Sequence, residues 1–366
     1  MTGAQHPIGK GNDHVFMGET APDSLNEFLR RNSFSSMFIL ADENSSQHCL
    51  PRLITMVPRL TGAEIIELES GEQNKTIETC IQVWRVLSEL GADRQSLLVN
   101  LGGGVITDLG GFVASTFKRG IAFVNVPTTL LAQVDASIGG KTGVDLDGLK
   151  NEIGVFAEPR AICIYPPFLQ TLGRREMMSG FAEALKHGLI ADAKYWSELC
   201  RLNVADISSW DTIISRSVEI KNDIVNRDPA EGGIRKSLNF GHTVGHAVET
   251  FFLEQASVTL LHGEAIVVGM ICEVYLSHRC AKLSAEKVDQ ITSILFDKYG
   301  TIRLEPVADH RLIELMKHDK KNTGEGINFT LLDDIGIAVV NKKCTTELIL
   351  ESLDFYREKA ALNVTH

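Results

Sequence analysis

The run Asn100-Leu-Gly-Gly-Gly-Val-Ile-Thr-Asp108 follows a short apolar segment and precedes a helical pattern, which predicts a glycine-rich turn between a strand and a helix. Free backbone N–H groups and the helix dipole at such a turn bind phosphate groups. The run departs from the G-x-G-x-x-G fingerprint, because Thr107 stands where the third glycine would fall. Glycines also make tight turns in α/β proteins that bind no nucleotide. Alone, the turn is only a weak indication of a nucleotide cofactor.

Short β-rich runs surround this turn and alternate with helical patterns. The segment Lys75 to Leu90 carries apolar residues at helical spacing and ends before Gly91, which predicts a helix. Such alternation favours an α/β domain with a mostly parallel, Rossmann-like sheet. The predicted strands are residues 37–41, 63–68, 96–100, 121–126 and 161–165.

Polar residues follow the first two predicted strands. Asp42 and Asn44 end the first strand, where a carboxylate can bind a ribose hydroxyl. Glu72 and Lys75 follow the second strand. Together with the glycine-rich turn, these residues strengthen the prediction of a nucleotide site.

The sequence pattern changes after Pro166-Pro167, where long helical patterns replace the short β-rich runs. We therefore predict an α/β domain over residues 1–170 and a mostly α-helical domain over residues 171–366. The predicted helices of the second domain are residues 175–189, 210–225, 241–251 and 263–283.

The composition excludes several classes of protein. With 36 Lys and Arg against 47 Asp and Glu, the 366-residue chain has a net charge of -11, which disfavours nucleic acid and membrane surfaces as partners. Its seven cysteines are scattered without a C-x-x-C pair, so a disulfide framework is not expected. The sequence contains no export signal and no apolar run of about 20 residues, as a membrane span requires. We expect a cytoplasmic protein.

Histidines in the second half form a candidate metal site. His242 and His246 are four residues apart and lie on one face of a predicted helix, while His262 stands at another probable helix start. Glu183 lies on a further predicted helix, and imidazole with carboxylate suits zinc. Spacing does not decide which two histidines bind metal, because each could instead transfer protons. His187 is interpreted as a bystander.

Several cations lie close to glycine, asparagine or carboxylate residues in this acidic chain, which suggests an anionic substrate. Lys141 follows Gly140 as in a phosphate-binding P-loop, but Asp135 occupies the place of the first glycine, so we reject that motif. Most lysines are solvated surface residues. We do not expect Lys141 and Lys186 to be ordinary solvated surface lysines. The cations concerned are Lys141, Lys150, Lys186, Lys221, Arg235, Lys320 and Lys321.

Several longer strings resemble the 3-dehydroquinate synthase family of sugar-phosphate cyclases over about residues 37 to 335. They are Gly102-Gly-Gly-Val-Ile-Thr-Asp108, Lys118-Arg-Gly120, Pro127-Thr-Thr-Leu-Leu-Ala132, Val134-Asp-Ala-Ser-Ile-Gly-Gly-Lys-Thr142, Lys150-Asn-Glu-Ile-Gly154 and the stretch from Arg235 to Glu249. The resemblance implies a homodimer with NAD and a divalent metal, zinc or cobalt, as cofactors.

The resemblance also assigns roles by matched position. It implies Glu183, His242 and His262 as metal ligands and moves His246 to phosphate binding and proton transfer. The substrate-contacting positions are Asp135, Lys141, Asn151, Lys186, Lys221, Glu231, Arg235, Asn239, one of Lys320 and Lys321, with Lys321 preferred, and Arg119 from the other subunit. The NAD positions are Asp42, Asn44, Glu72, Lys75, Gly103, Gly104, Val105, Asp108, Thr128, Thr129, Asp135, Lys141, Lys150, Phe168, Thr171 and Leu172.

The implied reaction converts 3-deoxy-D-arabino-heptulosonate 7-phosphate to 3-dehydroquinate and phosphate in the shikimate pathway. Transient oxidation by NAD would acidify the neighbouring C–H for phosphate elimination, followed by re-reduction and aldol closure. Thr107 and Leu149 stand where the family commonly has glycine, and we expect these changes to alter NAD packing without abolishing turnover.

Three alternatives remain at this stage. Another sugar-phosphate cyclase, of the valiolone, aminodehydroquinate or deoxyinosose type, would share the opening chemistry. A metal-dependent polyol dehydrogenase of the same architecture would release NADH. A catalytically idle NAD-binding protein would release no phosphate.

Overall fold

The computed structural model describes residues 14–147, 149–255, 260–318 and 326–363. Two compact units divide the chain: Met1–Met177 with Ser208–Asn222, and Met178–Ile207 with Asp223–His366. The main change of unit thus falls a few residues after the predicted boundary, and a short later segment belongs to the first unit.

Within the described residues, the first unit contains a six-stranded sheet in the order β1-β8-β5-β4-β2-β3, with every pairing parallel. The five predicted strands are confirmed within two residues at each end, and β1 is an addition. All residues of β4 are buried, as expected for a central parallel strand covered on both faces. The strands are β1 His14–Met17, β2 Met37–Asp42, β3 Glu64–Leu68, β4 Leu97–Gly102, β5 Ala122–Pro127 and β8 Ala161–Ile164.

Helices cover both faces of this sheet, each over its own apolar core. One core includes residues of α1 Ala21–Arg31 and α3 Leu50–Met56, and the other includes residues of α4 Ile77–Glu89 and α5 Gly104–Thr116. The predicted helix after Lys75 and the helix opened by the glycine-rich turn are therefore confirmed. The short α2 Glu43–His48 follows β2 directly.

An antiparallel hairpin in the first unit was not predicted. Its strands are β6 Lys141–Leu146 and β7 Leu149–Phe156. It pairs Gly143 with Gly154. A Cβ on Gly154 would lie 2.4 Å from the Thr142 carbonyl oxygen, so the two strands approach where side chains are absent.

The second unit is mostly helical, as predicted, and the four predicted helices are observed. Helices α6 and α8 each contribute residues to both units. Among the described residues the helices are α6 Arg174–Ala191, α7 Ala193–Cys200, α8 Asp211–Arg227, α9 His242–Glu254, α10 His262–Cys280, α11 Ala285–Tyr299, α12 Asp309–His318 and α13 Thr346–Asn363. An antiparallel hairpin, β9 Ile327–Asp334 with β10 Ile337–Cys344, interrupts this helical series.

Two expectations from composition can be compared with the structure. All seven cysteines lie in the described ranges and are free thiols. Within the same ranges, none of the helices combines the length and the apolar character that crossing a bilayer demands.

Candidate metal centre and nucleotide-binding turn

Helices α9 and α10 approach each other through glycines. A Cβ on Gly269 of α10 would lie 1.9 Å from the Gly241 carbonyl oxygen, at the start of α9. A Cβ on Gly263 would lie 2.2 Å from the Ser179 carbonyl oxygen of α6, and the Gly263 N–H donates to Ser179 Oγ at 2.9 Å. Only glycine permits such approaches, so these glycines allow the backbones of α6, α9 and α10 to lie close together.

The predicted metal ligands meet where these three helices converge. Glu183 Oε1 lies 3.6 Å from His242 Nε2 and 3.6 Å from His262 Nε2. Glu183 is fully buried, and its other carboxylate oxygen contacts the Lys186 ammonium. The carboxylate thus turns one oxygen toward a lysine and the other toward both imidazoles.

Neighbouring acceptors fix the orientation of both imidazole rings. His242 Nδ1 is 3.1 Å from the Phe240 carbonyl oxygen, and His262 Nδ1 is 3.1 Å from Glu249 Oε2. With Nδ1–H donated to these acceptors, each ring carries its lone pair on Nε2, the atom that would bind a cation.

The donor set fits a tetrahedral zinc site. Two ligands with metal bonds of about 2.0–2.1 Å in a tetrahedron lie about 3.4 Å apart. The two 3.6 Å separations from Glu183 Oε1 match this spacing closely. Two imidazoles and one carboxylate leave a fourth position for substrate oxygens.

The charge state of His262 supports cation binding here. Burial lowers the pKa of His262, but Glu249 and Glu183 outweigh burial and raise that pKa to about 10. The surroundings therefore favour a positive charge at this position, which a metal ion would supply in place of the proton.

His246 lies beside the same two histidines. Its ring centroid is 5.0 Å from that of His242 and 5.7 Å from that of His262. Ligand nitrogens of all three histidines fall within 4.8 Å of one another. The structure therefore brings the three histidines together, as their spacing predicted. His187 is fully buried on α6.

The predicted substrate-contacting residues of the second unit are polar groups in buried or half-buried places. Lys186 and Arg235 are both buried, and Arg235 Nη1 donates to the Pro229 carbonyl oxygen at 2.7 Å. Asn239 Nδ2 donates to Glu231 Oε1 at 2.9 Å, and Glu231 has a left-handed φ of 58°. Lys320 and Lys321 lie outside the described residues.

Predicted nucleotide and substrate residues of the first unit form one charged network. Lys75 Nζ donates to Asp108 Oδ2 and to Asn151 Oδ1, both at 2.6 Å. Lys150 Nζ lies 2.7 Å from Glu72 Oε1. Three segments that are distant in sequence, residues 72–75, 108 and 150–151, are thereby brought together.

A second ion pair of the first unit joins two predicted substrate residues. Lys221 Nζ lies 2.9 Å from Asp135 Oδ1 and donates to the Asp135 carbonyl oxygen at 2.6 Å. By contrast, Lys141, at the start of β6, is exposed. In its exposure it does not differ from an ordinary surface lysine.

The glycine-rich turn has the backbone needed for phosphate binding. Helix α5 starts at Gly104 with no side-chain hydrogen bond at its N-cap, Gly103. A Cβ on Gly103 would lie 2.9 Å from Thr129 Cγ2, which explains glycine there. Thr128 donates its N–H to the Gly102 carbonyl oxygen at 2.9 Å. Val105, in the first turn of α5, is half-buried.

Other predicted NAD residues differ in their surroundings. The Asp42 carboxylate caps α2 by accepting the Ser45 N–H at 2.8 Å, and Asn44 is exposed. Phe168 is buried, Thr171 is exposed and Leu172 is half-buried. Asp42 therefore has a structural task that the sequence pattern did not indicate.

Arg119 lies in an exposed and strained turn. Lys118 and Arg119 have φ values of 50° and 71°, in the left-handed region, and Gly120 follows with a φ of 106°. Both cationic side chains are exposed.

Three carboxylates at these sites were missed by sequence reasoning. Glu249 contacts His262, Asp145 contacts Lys150 at 3.5 Å, and Glu273 accepts N–H groups at the start of α9. Glu249 lies seven residues after His242, two helical turns along the same face, and that spacing was an available signal. Asp145 and Glu273 have no such local signal.

Comparison with known proteins shows the family of the chain. Residues 65–179 match the family described as 3-dehydroquinate synthase N-terminal, and residues 180–322 match 3-dehydroquinate synthase C-terminal. A 3-dehydroquinate synthase of Parabacteroides distasonis is 45% identical over 337 residues, covering 91% of this chain and 95% of the relative.

Two solved structures have a similar fold. A 2-deoxy-scyllo-inosose synthase complexed with carbaglucose-6-phosphate, NAD+ and Co2+ is 25% identical, with a TM-score of 0.78, covering 93% of this chain and 96% of that one. The 2-epi-5-epi-valiolone synthase of Streptomyces hygroscopicus subsp. jinggangensis, with NAD+ and Zn2+ bound, is 25% identical, with a TM-score of 0.79, covering 98% and 99%.

Proposed function

The chain belongs to the 3-dehydroquinate synthase family, and on that premise we propose how its residues convert 3-deoxy-D-arabino-heptulosonate 7-phosphate to 3-dehydroquinate and phosphate. The observation that carries the proposal is the pair of equal distances from Glu183 Oε1 to His242 Nε2 and His262 Nε2. The proposed domains are an NAD-binding domain at residues 1–170 and a metal- and substrate-binding domain at residues 171–366.

Glu183, His242 and His262 would hold zinc or cobalt. Beside them, His246 would bind the substrate phosphate and transfer protons. When bound, the metal supplies Lewis acidity at the substrate hydroxyl that is oxidised, and NAD supplies reversible hydride acceptance. Lys186 and Arg235 would bind the anionic groups of the substrate, with Asn239 and Glu231 as polar partners. Buried cations bind anions strongly because little water screens them.

The glycine-rich turn would bind the NAD diphosphate at the start of α5, where the N-cap Gly103 makes no side-chain hydrogen bond. Gly103 and Gly104 allow close backbone approach, and Val105, Thr128 and Thr129 line the turn. The Lys75 and Lys150 network would position the remaining cofactor groups. Asp42, Asn44, Phe168, Thr171 and Leu172 complete the proposed set, and Asp135, Lys141, Asn151 and Lys221 would contact substrate or cofactor.

We further propose a cytoplasmic homodimer in which Arg119 serves the other subunit. The support is the strained, exposed turn that presents this cation. Mixing Arg119→Ala chains with His262→Ala chains tests it, because only an Arg119 that acts across subunits leaves one complete site in each mixed dimer. Random mixing should restore about a quarter of wild-type activity. No restoration by the mixture, with mixed dimers confirmed by mass spectrometry, would contradict the proposal.

The experiment that tests the reaction follows phosphate release and NADH absorbance together. We expect phosphate release from the heptulosonate phosphate without net NADH accumulation, abolished by a chelator and restored by zinc or cobalt. Accumulating NADH would indicate a dehydrogenase instead. If no phosphate is released with both cofactors present, the chain would instead be a catalytically idle NAD-binding protein.

The same assay, run with other sugar phosphates, separates this reaction from those of other cyclases. Turnover of a deoxyinosose or valiolone precursor in preference to the heptulosonate phosphate would overturn the proposed substrate. Product identity by mass spectrometry provides the independent measurement.

A further inference from the structure

The start of α9 provides no side-chain cap of its own. Its N-cap is Gly241, in the left-handed conformation with a φ of 80°, and this residue offers no side-chain acceptor. His242 is the first residue of the helix, so the direction of its ring depends on how the first turn is held. The N–H groups of a buried helix start require acceptors from elsewhere.

Glu273 of α10 supplies those acceptors. Its Oε2 accepts the Gly241 N–H at 2.6 Å, and its Oε1 accepts the N–H groups of Thr243 at 3.1 Å and Val244 at 3.3 Å. Glu273 is fully buried. Several N–H donors and the positive end of the α9 dipole together stabilise a carboxylate that burial would otherwise disfavour.

The packing leaves this carboxylate little freedom to move. Gly269, one turn before Glu273, touches the Gly241 carbonyl through the close backbone contact described above. One turn after Glu273, Ser277 Oγ donates to the Glu273 carbonyl oxygen at 2.6 Å and accepts the Leu332 N–H of β9 at 2.9 Å. The cap therefore belongs to a rigid part of α10.

The two helices hold each other's histidines. Glu249 of α9 accepts from His262 at the start of α10, while Glu273 of α10 holds the backbone on either side of His242 at the start of α9. A shift of either carboxylate would turn an imidazole of the opposite helix.

We propose that Glu273 is a positioning residue that orients His242 for metal binding by capping α9 from α10. This inference rests on the proposed metal role of His242, Glu183 and His262. Glu273 itself contacts neither metal nor substrate in this proposal. It acts only through the backbone of Gly241, Thr243 and Val244.

The test uses Glu273→Gln in the full-length protein. Glutamine keeps the size of the side chain but has one acceptor oxygen, so at least one N–H group loses its partner. The matched control is Asp192→Asn, because Asp192 caps α7 by accepting the N–H groups of Lys194 and Tyr195 at 3.1 Å and 3.0 Å. Asp192 has no part in the proposed site.

Three readouts are needed: Zn2+ affinity by competition with a chromophoric chelator, the visible spectrum of the Co2+ form, and amide hydrogen exchange in metal-free protein. We expect Glu273→Gln to weaken Zn2+ binding by about 10–100-fold, the usual effect of removing a partner that orients a ligand. Its Co2+ spectrum should change, and the Thr243 and Val244 amides should exchange faster. Asp192→Asn, which likewise removes a carboxylate charge at a helix start, should leave the affinity and the spectrum unchanged.

Wild-type Zn2+ affinity in Glu273→Gln, combined with faster exchange at Thr243, would overturn the inference, because the cap would then be structural only. Glu273→Asp, which keeps the charge at a shorter reach, serves the same comparison if the glutamine variant does not fold. His262→Ala is measured in parallel. Full metal content in His262→Ala would contradict the proposed metal site itself and so distinguishes that failure from a failure of the positioning role.

Discussion

Lys75 and Asp108 form an ion pair of 2.6 Å in the first unit, with side-chain exposures of 4% and 20%. Burial lowers the pKa of Lys75, but Asp108, Glu72 and Asp145 outweigh burial and hold that pKa above its ordinary value. The lysine is therefore a permanent positive charge within a group of carboxylates. Its removal leaves these negative charges without their main counter-ion.

We predict that Lys75→Met lowers the free energy of unfolding by about 3–5 kcal/mol, the usual cost of breaking a buried pair by removing one partner. The double variant, Lys75→Met with Asp108→Asn, should lose less stability than the sum of the losses in the two single variants. A double-mutant cycle by urea unfolding measures this coupling. The surface pair Arg216 and Glu219 provides the control, with a coupling of about 1 kcal/mol or less. Strict additivity for Lys75 and Asp108 would contradict the prediction.

The metal site makes a second prediction. Glu183→Ala and His262→Ala should each lose the bound metal, since each removes a donor from a three-residue set. His246→Ala should retain metal and lose about 10²–10⁴-fold in kcat, the range for a group that transfers protons. Elemental analysis of the three purified variants decides the assignment. Full metal in the first two, or metal loss in the third, would require a different ligand set.

A third prediction concerns acid stability. Asp228 accepts the N–H groups of Arg235 at 3.0 Å, Gly233 at 2.7 Å and Gly232 at 2.9 Å. Chiefly the Arg235 and Gly233 N–H groups hold the pKa of this carboxyl below its ordinary 3.8. A lowered pKa in the folded state means that the stabilisation is present above the unfolded pKa and disappears as pH falls through the folded value.

Wild type should therefore be more stable than Asp228→Asn by a constant amount near neutral pH, and the difference should shrink below about pH 4. Urea unfolding of both proteins between pH 3 and 8 measures the difference. Asp223→Asn, at an exposed residue of α8, is the control and should show a much smaller change. A difference that grows as pH falls would contradict the sign of this argument.

Thr107 provides a fourth prediction. Its hydroxyl donates to the Gly104 carbonyl oxygen at 3.1 Å and to the Gly103 carbonyl oxygen at 3.3 Å. Thr107→Gly should lower the free energy of unfolding by about 1 kcal/mol, because glycine is less favourable within a helix. Turnover should persist, with a changed KM for NAD. Thr107→Ser keeps the hydroxyl and is the matched control, and loss of turnover in the glycine variant would count against the expected minor role.

Central strands and long helices could be predicted because their own residues carry the signal. Strands such as β4 and β5 are apolar except for one asparagine each, Asn100 and Asn125, and α10 starts at the histidine where the pattern indicated. The hairpins escaped prediction for a physical reason. The sequence of β6, Lys-Thr-Gly-Val-Asp-Leu, contains glycine and charge, and its pairing with β7 depends on close backbone approach instead of apolar alternation.

The candidate site was predictable to a similar degree. The histidines and Glu183 stand out in the sequence, and the resemblance to a family implied which histidines bind metal. The role of Glu273 could not be found in this way, because its partners are backbone groups about 30 residues away. Asp145 lies only five residues before Lys150, but the two side chains meet through the hairpin of β6 and β7, which the sequence pattern did not indicate. Only the folded arrangement of helices and strands brings these partners together.

The contact between Gly269 and the Gly241 carbonyl has a consequence for protein engineering. The two helices are in direct backbone contact there. Any larger side chain at Gly269 would therefore force α9 and α10 apart. A library intended to change the preferred metal should therefore vary the proposed ligands at residues 183, 242 and 262 and keep both glycines constant. Selection would then act on the ligand side chains while the positions of α9 and α10 stay the same.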